Sequence, residues 1–202
     1  MRQANIFIRG EGDKWLKRNR NKLGKGEDMV DQAIDRAGIK PEKVLEIGCS
    51  NGWRLSALRD KYGCKVMGLD PSHAAGEEAK AKDIPVWEAT ATALPILSAQ
   101  FDVVIYGFCL YLVDPADWFT IVKEGDRVLA PGGHLIIHDF AAHTAWGCVY
   151  EHCDGVVSYH VDFAGFWRAN PLYRYVTGIA GGDDEMVTVL QKLPLDTIEV
   201  LP

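Results

Sequence analysis

A loop from Glu46 to Gly52 carries the strongest chemical signal in this sequence of 202 residues. It follows residues 43–48 (KVLEIG), an apolar run that predicts a buried strand, and it precedes a predicted helix. Such a turn directs backbone N–H groups at a ligand, and glycines at both ends let the ligand approach the main chain. Asp70 ends the next predicted strand, where a carboxylate can accept hydrogen bonds from both hydroxyls of a ribose. Together the loop and this acid predict a nucleoside site.

The loop does not fit a dinucleotide. The fingerprint G-x-G-x-x-G starting at Gly48 requires glycines at two positions where the chain has Ser50 and Trp53. The acid at the start of the loop, Glu46, would repel phosphates but would stabilise a cationic ligand. A dehydrogenase or epimerase of the NAD type is therefore the weaker alternative, and the chain also lacks a Tyr-x-x-x-Lys pair.

Strands and helices alternate through the middle of the chain, and the loop depends on that arrangement. The predicted strands are residues 43–48, 65–70, 84–89, 101–108 and 134–140, with a helix at 115–130 before the last of them and a Pro-Gly-Gly turn at 131–133. Such alternation predicts parallel strands in a doubly wound α/β sheet. Residues 173–180 and 185–192, around the turn GGDD, predict an antiparallel C-terminal hairpin.

The spacing of the loop resembles the motif (D/E)-x-G-x-G-x-G of class I S-adenosylmethionine (SAM) dependent methyltransferases, with Ser50 in place of the middle glycine. Residues 89–104 resemble the family stretch G-D-A-x-x-L-P…F-D-x-V, and residues 127–133 (RVLAPGG) resemble the turn before the fifth strand. The likeness covers about residues 40–140. It implies a Rossmann-like sheet of seven strands, mostly parallel, and SAM as the cofactor.

The resemblance also implies which residues hold that cofactor. Glu46 would lie near the methionine end and Asp70 at the ribose, whereas Thr90 replaces the family aspartate that binds the adenine amino group, so recognition there would depend on the backbone at Ala91. The full predicted set is Trp15, Glu46, Gly48, Ser50, Asn51, Gly52, Asp70, Pro71, Thr90, Ala91 and Tyr106. Asp102 is expected to be structural, because it stands at a strand start.

The acceptor side offers three candidate catalytic residues. Tyr106 ends the fourth strand, and His138 and Asp139 end the fifth on opposite faces, so one of these two could serve as a general base. Alignment alone lowers the barrier substantially, and a base is not obligatory. Residues 141–172 show no clear period and are expected to cover the acceptor site.

Residues 10–21 predict a short helix, and we expect residues 1–26 to form a lid over the cofactor. The motif E-G-D-x-W-x-x-R-N, together with N-G-W-R-L at 51–55, resembles an uncharacterised bacterial methyltransferase group. There Trp15, Arg18 or Asn19 would reach the site. The alternative is a solvated helix anchored by Trp15.

Charge and composition limit the partners. The formal net charge is −6, although residues 1–25 hold eight Lys and Arg against two acids, and such a run is usually a solvated helix face. We therefore expect no nucleic-acid partner. No apolar run approaches the about 20 residues of a membrane helix and no signal peptide is evident, which predicts a cytoplasmic protein without a membrane partner. Five scattered cysteines predict no disulfide framework, and no metal site is expected from the histidines and cysteines at 143–160.

The expected protein is a single domain over residues 1–202 that transfers a methyl group from SAM to a small-molecule acceptor. A sugar, a lipid-linked compound or a natural-product intermediate is the expected acceptor, because the chain lacks N-P-P-Y after the fourth strand and has no separate recognition domain. Oxygen is the expected target atom only because O-methylation is the commoner chemistry. Two alternatives stay open at this point, a non-catalytic SAM-binding regulatory protein and a nucleic-acid methyltransferase. The oligomeric state is left open.

Overall fold

The computed structural model describes residues 2–182 and 184–197. Its strands are β1 Lys43–Ile47, β2 Lys65–Asp70, β3 Val86–Glu88, β4 Phe101–Gly107, β5 Leu129–Phe140, β6 Trp146–Val149, β7 Val157–His160, β8 Tyr173–Ala180 and β9 Glu185–Lys192. Seven of them form one sheet in the order β3-β2-β1-β4-β5-β9-β8. The neighbours from β3 to β5 pair in parallel, whereas β9 is antiparallel to β5 and β8. The predicted Rossmann-like sheet of seven strands is confirmed.

Helices cover both faces of this sheet. They are α1 Gln3–Ile6, α2 Gly12–Asn19, α3 Met29–Ala37, α4 Trp53–Tyr62, α5 His73–Lys80, α6 Trp118–Val128 and α7 Ala164–Arg168, with a π-helical turn at Phe7–Glu11. One apolar cluster joins α3, α4 and α5 to one face, and another joins α6 and α7 to the opposite face. The three layers bury two apolar surfaces, which supply the main driving force for folding.

Parallel pairing brings the functional segments to one edge of the sheet. Ile47, the last residue of β1, pairs with Leu69 on β2 and with Tyr106 on β4. The turns that follow these three strands therefore begin at the same level. In open α/β sheets, the carboxyl edge of the strands is where ligands bind.

Several predicted boundaries were wrong. The third strand is limited to Val86–Glu88, because Ile84 is buried in the helical layer instead of pairing. The helix expected at 115–130 begins only at Trp118, after a 3-10 turn at Pro115–Asp117. Residues 131–133 belong to β5, where the pairing with β4 is irregular between Phe101 and Val103.

The segment 141–172, in which the sequence shows no clear period, also folds. The region 141–172 contains the antiparallel hairpin of β6 and β7, and then α7. Strands of four residues are too short to show a period, and every residue of β6 is exposed.

The C-terminal hairpin pairs as predicted, although Asp183 in its turn lies outside the described residues. Among the described residues, no helix is long and apolar enough to cross a membrane.

The Asp102 side chain connects β4 with the start of β1. Its carboxylate accepts hydrogen bonds from the backbone N–H groups of Glu42, at 2.9 Å, and Lys43, at 2.6 Å. We expect Asp102→Ala to lower the free energy of unfolding by about 1–3 kcal/mol, because two donors lose a charged acceptor. Urea unfolding measures the change. The control Asp60→Ala removes an exposed carboxylate and should change stability by less than about 0.5 kcal/mol; equal effects would contradict this role.

Candidate functional site

A cavity opens at the carboxyl edge of the sheet, above the ends of β1, β2 and β4. It is lined by the loop after β1, the ends of β2 and β3, the turn after β4 and the N-terminal segment. The lining residues are Ala4, Phe7, Gly12, Trp15, Ile47, Gly48, Ser50, Leu69, Asp70, Pro71, Ala89, Thr90, Ala91, Thr92, Gly107, Phe108, Cys109, Leu112, Val113, Asp114, Asp117 and Ile121. Most of this wall is apolar, so its few polar groups decide which ligands it accepts.

The glycine loop is held tightly at the floor of the cavity. Gly48 donates its N–H to the carbonyl of Leu69 at 2.8 Å, and its φ of 76° lies in the left-handed region. A Cβ at Gly48 would stand 2.6 Å from the Cβ of Cys109. Only glycine therefore lets the loop approach the turn after β4 so closely.

Asp70 fixes the opposite side of the loop. One carboxylate oxygen accepts the N–H of Ser50 at 2.8 Å, and the other accepts the N–H of Ser72 at 2.9 Å. Burial raises the pKa of Asp70 to about 6, although these two N–H groups favour the charged form. At neutral pH the side chain is thus an ionised acceptor that is held in one orientation at the cavity wall.

Two buried polar atoms at this floor lack a hydrogen-bond partner. They are Oγ of Ser50, which lines the cavity, and Oε2 of Glu46. The Glu46 carboxylate lies directly beside Gly107, which forms part of the cavity wall. Since buried polar groups are nearly always hydrogen-bonded, such atoms mark a place where a polar ligand fits.

A buried ion pair lies just below the floor. The Arg54 guanidinium on α4 pairs with Glu46, and its Nε donates to Asp28 at 2.8 Å. Its remaining nitrogen donates to Nδ1 of His138 at 3.2 Å, while Nε2 of that histidine donates to Glu185 at 2.7 Å. Burial raises the pKa of Glu46 to about 7, against the opposing effect of the arginine, and burial lowers the pKa of His138.

Six of the predicted cofactor residues besides Trp15 line the cavity with a side chain or backbone: Gly48, Ser50, Asp70, Pro71, Thr90 and Ala91, the last two just after β3. The hydroxyls of Thr90 and Thr92 are hydrogen-bonded to each other at 2.9 Å. Only one of the two hydrogens is used in this bond, so the pair keeps one donor and free lone pairs for a ligand.

Six predicted residues stand behind the wall instead. They are Glu46, Asn51, Gly52, Tyr106, His138 and Asp139. The amide of Asn51 donates to Glu78 at 3.1 Å, and Gly52 packs against Ala79 and Ile84 at the start of α4. Both shape the loop from outside.

The three candidate catalytic side chains all make internal contacts. The Tyr106 hydroxyl donates to the carbonyl of Ile121 at 3.1 Å, and its ring packs on Trp167. Asp139 accepts the N–H of Leu110 at 2.7 Å and so holds the turn after β4. His138 belongs to the arginine network. Because each of these side chains is engaged inside the protein, their geometry argues against direct contact with an acceptor in this cavity. Alternation along a strand assigns side chains to two faces, but it does not show which of them meets a ligand.

The N-terminal segment closes the cavity from above. Ala4, Phe7 and Trp15 line it, and Gln3 fastens the segment by donating to the carbonyls of Leu112, at 2.7 Å, and Val157, at 3.1 Å. Arg18 is directed elsewhere, because it pairs with Glu11 and donates to the Tyr150 hydroxyl at 3.0 Å. Asn19 donates to the carbonyl of Trp15 at 3.0 Å. Trp15 is therefore the one of the three residues proposed from the sequence that reaches the cavity.

Among the residues of the site that sequence reasoning missed, four carry polar side chains that hold or line it. Gln3 and Arg54 carry the closure and the buried ion pair, and Asp114 and Asp117 line the cavity. Arg54 was visible in the motif N-G-W-R-L, but no spacing rule connects it with Glu46 and His138. The sequence Asp114-Pro115 signalled a turn, without showing that the turn faces the cavity.

Comparisons with known proteins agree with this geometry. Residues 45–137 match the family model described as a methyltransferase domain. An uncharacterised protein of Haemophilus influenzae is 31% identical over 123 residues, 56% of this chain and 49% of that protein. A demethylmenaquinone methyltransferase of Thermus thermophilus is 33% identical over 133 residues, 60% of this chain and 57% of the relative.

Solved structures share the fold. A SAM-dependent methyltransferase of Methanosarcina mazei superposes with a TM-score of 0.66 at 18% identity, over 80% of this chain and 97% of that one. The 1,6-didemethyltoxoflavin-N1-methyltransferase of Burkholderia thailandensis, with bound S-adenosylhomocysteine, gives 0.70 at 17% identity, over 94% and 89%. The domain match and the shared fold support the predicted resemblance to class I SAM-dependent methyltransferases.

The chain spans about half the length of the curated relatives it matches. The match covers the loop, the end of β2 and β4 to β5, whereas the N-terminal segment and residues after 137 lie outside it. Roles for those outer segments are therefore proposals.

The buried ion pair between Arg54 and Glu46 allows a direct test. Arg54→Met removes the cation and leaves Glu46 buried without its partner, so we expect a loss of about 3–5 kcal/mol in the free energy of unfolding. Chemical denaturation measures it. The double variant Glu46→Gln, Arg54→Met should recover part of this loss, because the stranded charge is gone.

Lys80→Met serves as the matched control, because Lys80 pairs only at the surface with Glu77. It should change stability by less than about 1 kcal/mol. A loss for Arg54→Met no larger than that of the control would contradict the importance of the buried pair.

Proposed function

We propose that this chain binds SAM in the cavity and transfers the methyl group to a small-molecule acceptor. The observation that carries the proposal is the floor of the cavity, where the glycine loop, ionised Asp70 and the unpartnered hydroxyl of Ser50 meet, with the Glu46 carboxylate buried behind it. These groups suit a ligand that combines a ribose with a positively charged end.

Each polar group of the floor has a distinct task. Asp70 would accept hydrogen bonds from the ribose hydroxyls, because its orientation is already fixed by two backbone N–H groups. The buried Glu46 carboxylate, which lies beside Gly107 behind the cavity wall, would attract the ammonium group of the methionine part by its charge. The apolar faces of Pro71 and Phe108 leave room for the base to stack.

The bound cofactor supplies an activated methyl group on a sulfonium, which leaves the chain to orient the partners and exclude water. Phe7, Trp15 and Phe108 provide an apolar enclosure for this purpose. His138 is held between Arg54 and Glu185, and Asp139 is bound to backbone N–H groups. We therefore propose catalysis by alignment, with no proton taken up by either of these side chains.

The acceptor class is supported by the relatives with named reactions. One acts on demethylmenaquinone and another on 1,6-didemethyltoxoflavin, and both names denote small molecules. The aromatic residues of the wall suit an apolar or planar acceptor of this kind. Oxygen as the methylated atom stays a prediction, and the toxoflavin enzyme is named for transfer to N1.

Calorimetry with SAM, S-adenosylhomocysteine and NAD tests the proposal. We expect the two adenosyl compounds to bind and NAD to show no binding. Asp70→Asn should weaken their affinity by about 10- to 100-fold, because a hydrogen bond to an ionised acceptor contributes about 1.5–3 kcal/mol. The matched control Asp154→Asn changes an exposed side chain remote from the cavity and should leave the affinity unchanged.

The pH dependence of the same binding gives an internal check. Because the pKa of Glu46 is about 7 and that of Asp70 about 6, affinity should be constant only above about pH 8 and should fall in two steps, as Glu46 and then Asp70 is protonated. Asp70→Asn should remove the step near pH 6 and keep the step that belongs to Glu46. Well-folded protein that binds neither adenosyl compound would refute the proposal.

The N-terminal segment is proposed to act as a lid, and Gln3→Ala tests it. The substitution leaves the carbonyls of Leu112 and Val157 without their donor, so the segment should detach more often. We expect faster cleavage of residues 2–19 by protease and dissociation of S-adenosylhomocysteine faster by about 3- to 10-fold, measured by stopped flow.

Asn5→Ala changes an exposed side chain in the same segment and should leave both rates unchanged. Faster proteolysis with unchanged dissociation of the ligand would show that the segment is structural and does not gate the site.

A further inference from the structure

Every charged side chain that lines the cavity, within residues 2–182 and 184–197, is a carboxylate. The three are Asp70, Asp114 and Asp117. The Cys109 thiol lines the cavity too, and burial raises its pKa well above the ordinary value, so it is uncharged at neutral pH. Asp70 has a task in the proposed function, whereas Asp114 and Asp117 have none. These two acids give the wall after β4 a negative charge that the cofactor assignment leaves unexplained.

The partners of the two acids neutralise little of this charge. Asp114 accepts the backbone N–H of Gln3 at 2.7 Å, which is a neutral donor. Asp117 pairs with Arg2 at 3.4 Å, but 51% of the Arg2 side chain is exposed to solvent, against 18% of the Asp117 side chain. A long pair with an exposed partner is weak. The cavity therefore keeps a negative potential at the 3-10 turn that these acids enclose.

The cations of the surrounding elements do not offset this potential inside the cavity. Arg54 lies below the floor, where it pairs with Glu46 and Asp28. Lys14 and Lys17 of α2 are exposed to solvent, where water and salt screen a charge over about 8 Å. An anionic ligand would thus lose its hydration and meet carboxylates of the same sign, which is strongly unfavourable.

The site also offers little help to an acceptor that must lose a proton. The side chains of Tyr106, His138 and Asp139 are all engaged in internal hydrogen bonds. An aspartate is in general a weak base for a hydroxyl, because the reference pKa of aspartic acid is about 4 and that of a phenol about 10. An uncharged nitrogen, in contrast, has a lone pair that reacts without prior deprotonation. Both the charge of the wall and the lack of a free base favour such a nucleophile.

We infer that the methyl acceptor is an uncharged nitrogen of an aromatic amine or a nitrogen heterocycle, and that Asp114 and Asp117 exclude acceptors that carry a carboxylate or a phosphate. This inference rests on the proposed function, since it names the acceptor of the same site. It replaces oxygen, the atom expected from the sequence. Phe7, Trp15 and Phe108 in the cavity wall suit the planar body of such a molecule.

Transfer to nitrogen also fits the redistribution of charge in the reaction. The lone pair of the acceptor nitrogen attacks the methyl carbon, and a C–N bond forms while the C–S bond breaks. The electron pair of the C–S bond stays on sulfur, which becomes a neutral thioether. The positive charge passes to the nitrogen, where Asp114 and Asp117 would stabilise it. If the nitrogen carries a hydrogen, its proton then leaves to water.

Calorimetry with S-adenosylhomocysteine and sinefungin measures the potential at the point of transfer. In sinefungin a carbon that bears an amino group replaces the sulfur, so an ammonium group occupies the position of the methyl group. For the unsubstituted chain we expect sinefungin to bind at least about 10-fold more tightly, because its added charge faces carboxylates. Asp114→Asn and Asp117→Asn should each reduce that ratio by about 3-fold or more. The asparagine at position 114 can still accept the N–H of Gln3, which keeps the N-terminal segment attached.

Asp154→Asn is the matched control, because it removes the charge of an exposed aspartate outside the cavity lining and should keep the ratio of the unsubstituted chain. Thermal unfolding of each variant verifies folding. The ratio of two ligands on one preparation does not depend on the active fraction.

Pairs of aromatic probes then test the acceptor class. Aniline with benzoate, 1-aminonaphthalene with 1-naphthoate, and 3-aminoquinoline with quinoline-3-carboxylate each share one planar body and differ in an amine or a carboxylate. The probes are titrated into protein saturated with S-adenosylhomocysteine and followed by NMR of the probe. We expect the amines to bind at least about 10-fold more tightly, and the difference to fall below about 3-fold in the double variant Asp114→Asn, Asp117→Asn.

The outcomes distinguish the two proposals. No binding of S-adenosylhomocysteine by the unsubstituted chain would refute the proposed function itself. Binding of that compound without a preference for sinefungin, or without any pair in which the amine binds better than the acid, would overturn the inference about the acceptor alone. Preferences that survive in the double variant would show that other groups set them and would overturn the role of Asp114 and Asp117.

Discussion

Burial of the Arg54 guanidinium is the constraint on which the carboxyl edge of the sheet depends. A charge removed from water is strongly unfavourable unless acceptors surround it. Glu46 on β1, Asp28 before α3 and His138 on β5 supply those acceptors, from segments that are distant in sequence. The same carboxylate of Asp28 also caps α3 by accepting the N–H of Val30. One cation thus aligns two helices and two strands beneath the cavity.

The cavity above this network has polar groups at its floor and apolar side chains in its walls and cover. Its floor offers a few polar groups in fixed orientations. The Asp70 carboxylate, for example, is held by backbone N–H groups of two different turns. Its walls and cover are apolar, with Phe7 and Trp15 from the N-terminal segment facing Phe108 after β4. Polar groups that are fixed before binding lose little entropy when the ligand arrives, so a small number can determine specificity.

The same arrangement limits the chemistry that the chain can perform. Two ionisable side chains are engaged below or behind the cavity, His138 by Glu185 and Asp139 by the turn after β4. A reaction whose donor is already activated suits such a site, because orientation and exclusion of water provide most of what is needed. The internal hydrogen bonds of these polar side chains are therefore consistent with the proposed catalysis by alignment.

The sequence by itself determined the sheet, the glycine loop and the acid at the end of β2. Apolar runs and glycine turns are local signals, and the parallel topology brings strand ends such as Ile47 and Asp70 to one edge without further information. Only the tertiary structure decided which polar side chains meet the cavity. Tyr106 turns into the core, and Asp117 turns toward the site, because each orientation follows from packing against segments far along the chain. Alternation along a strand predicts which side chains share a face of the sheet. It does not predict which of them line a cavity, because the loops that close the cavity come from other parts of the chain.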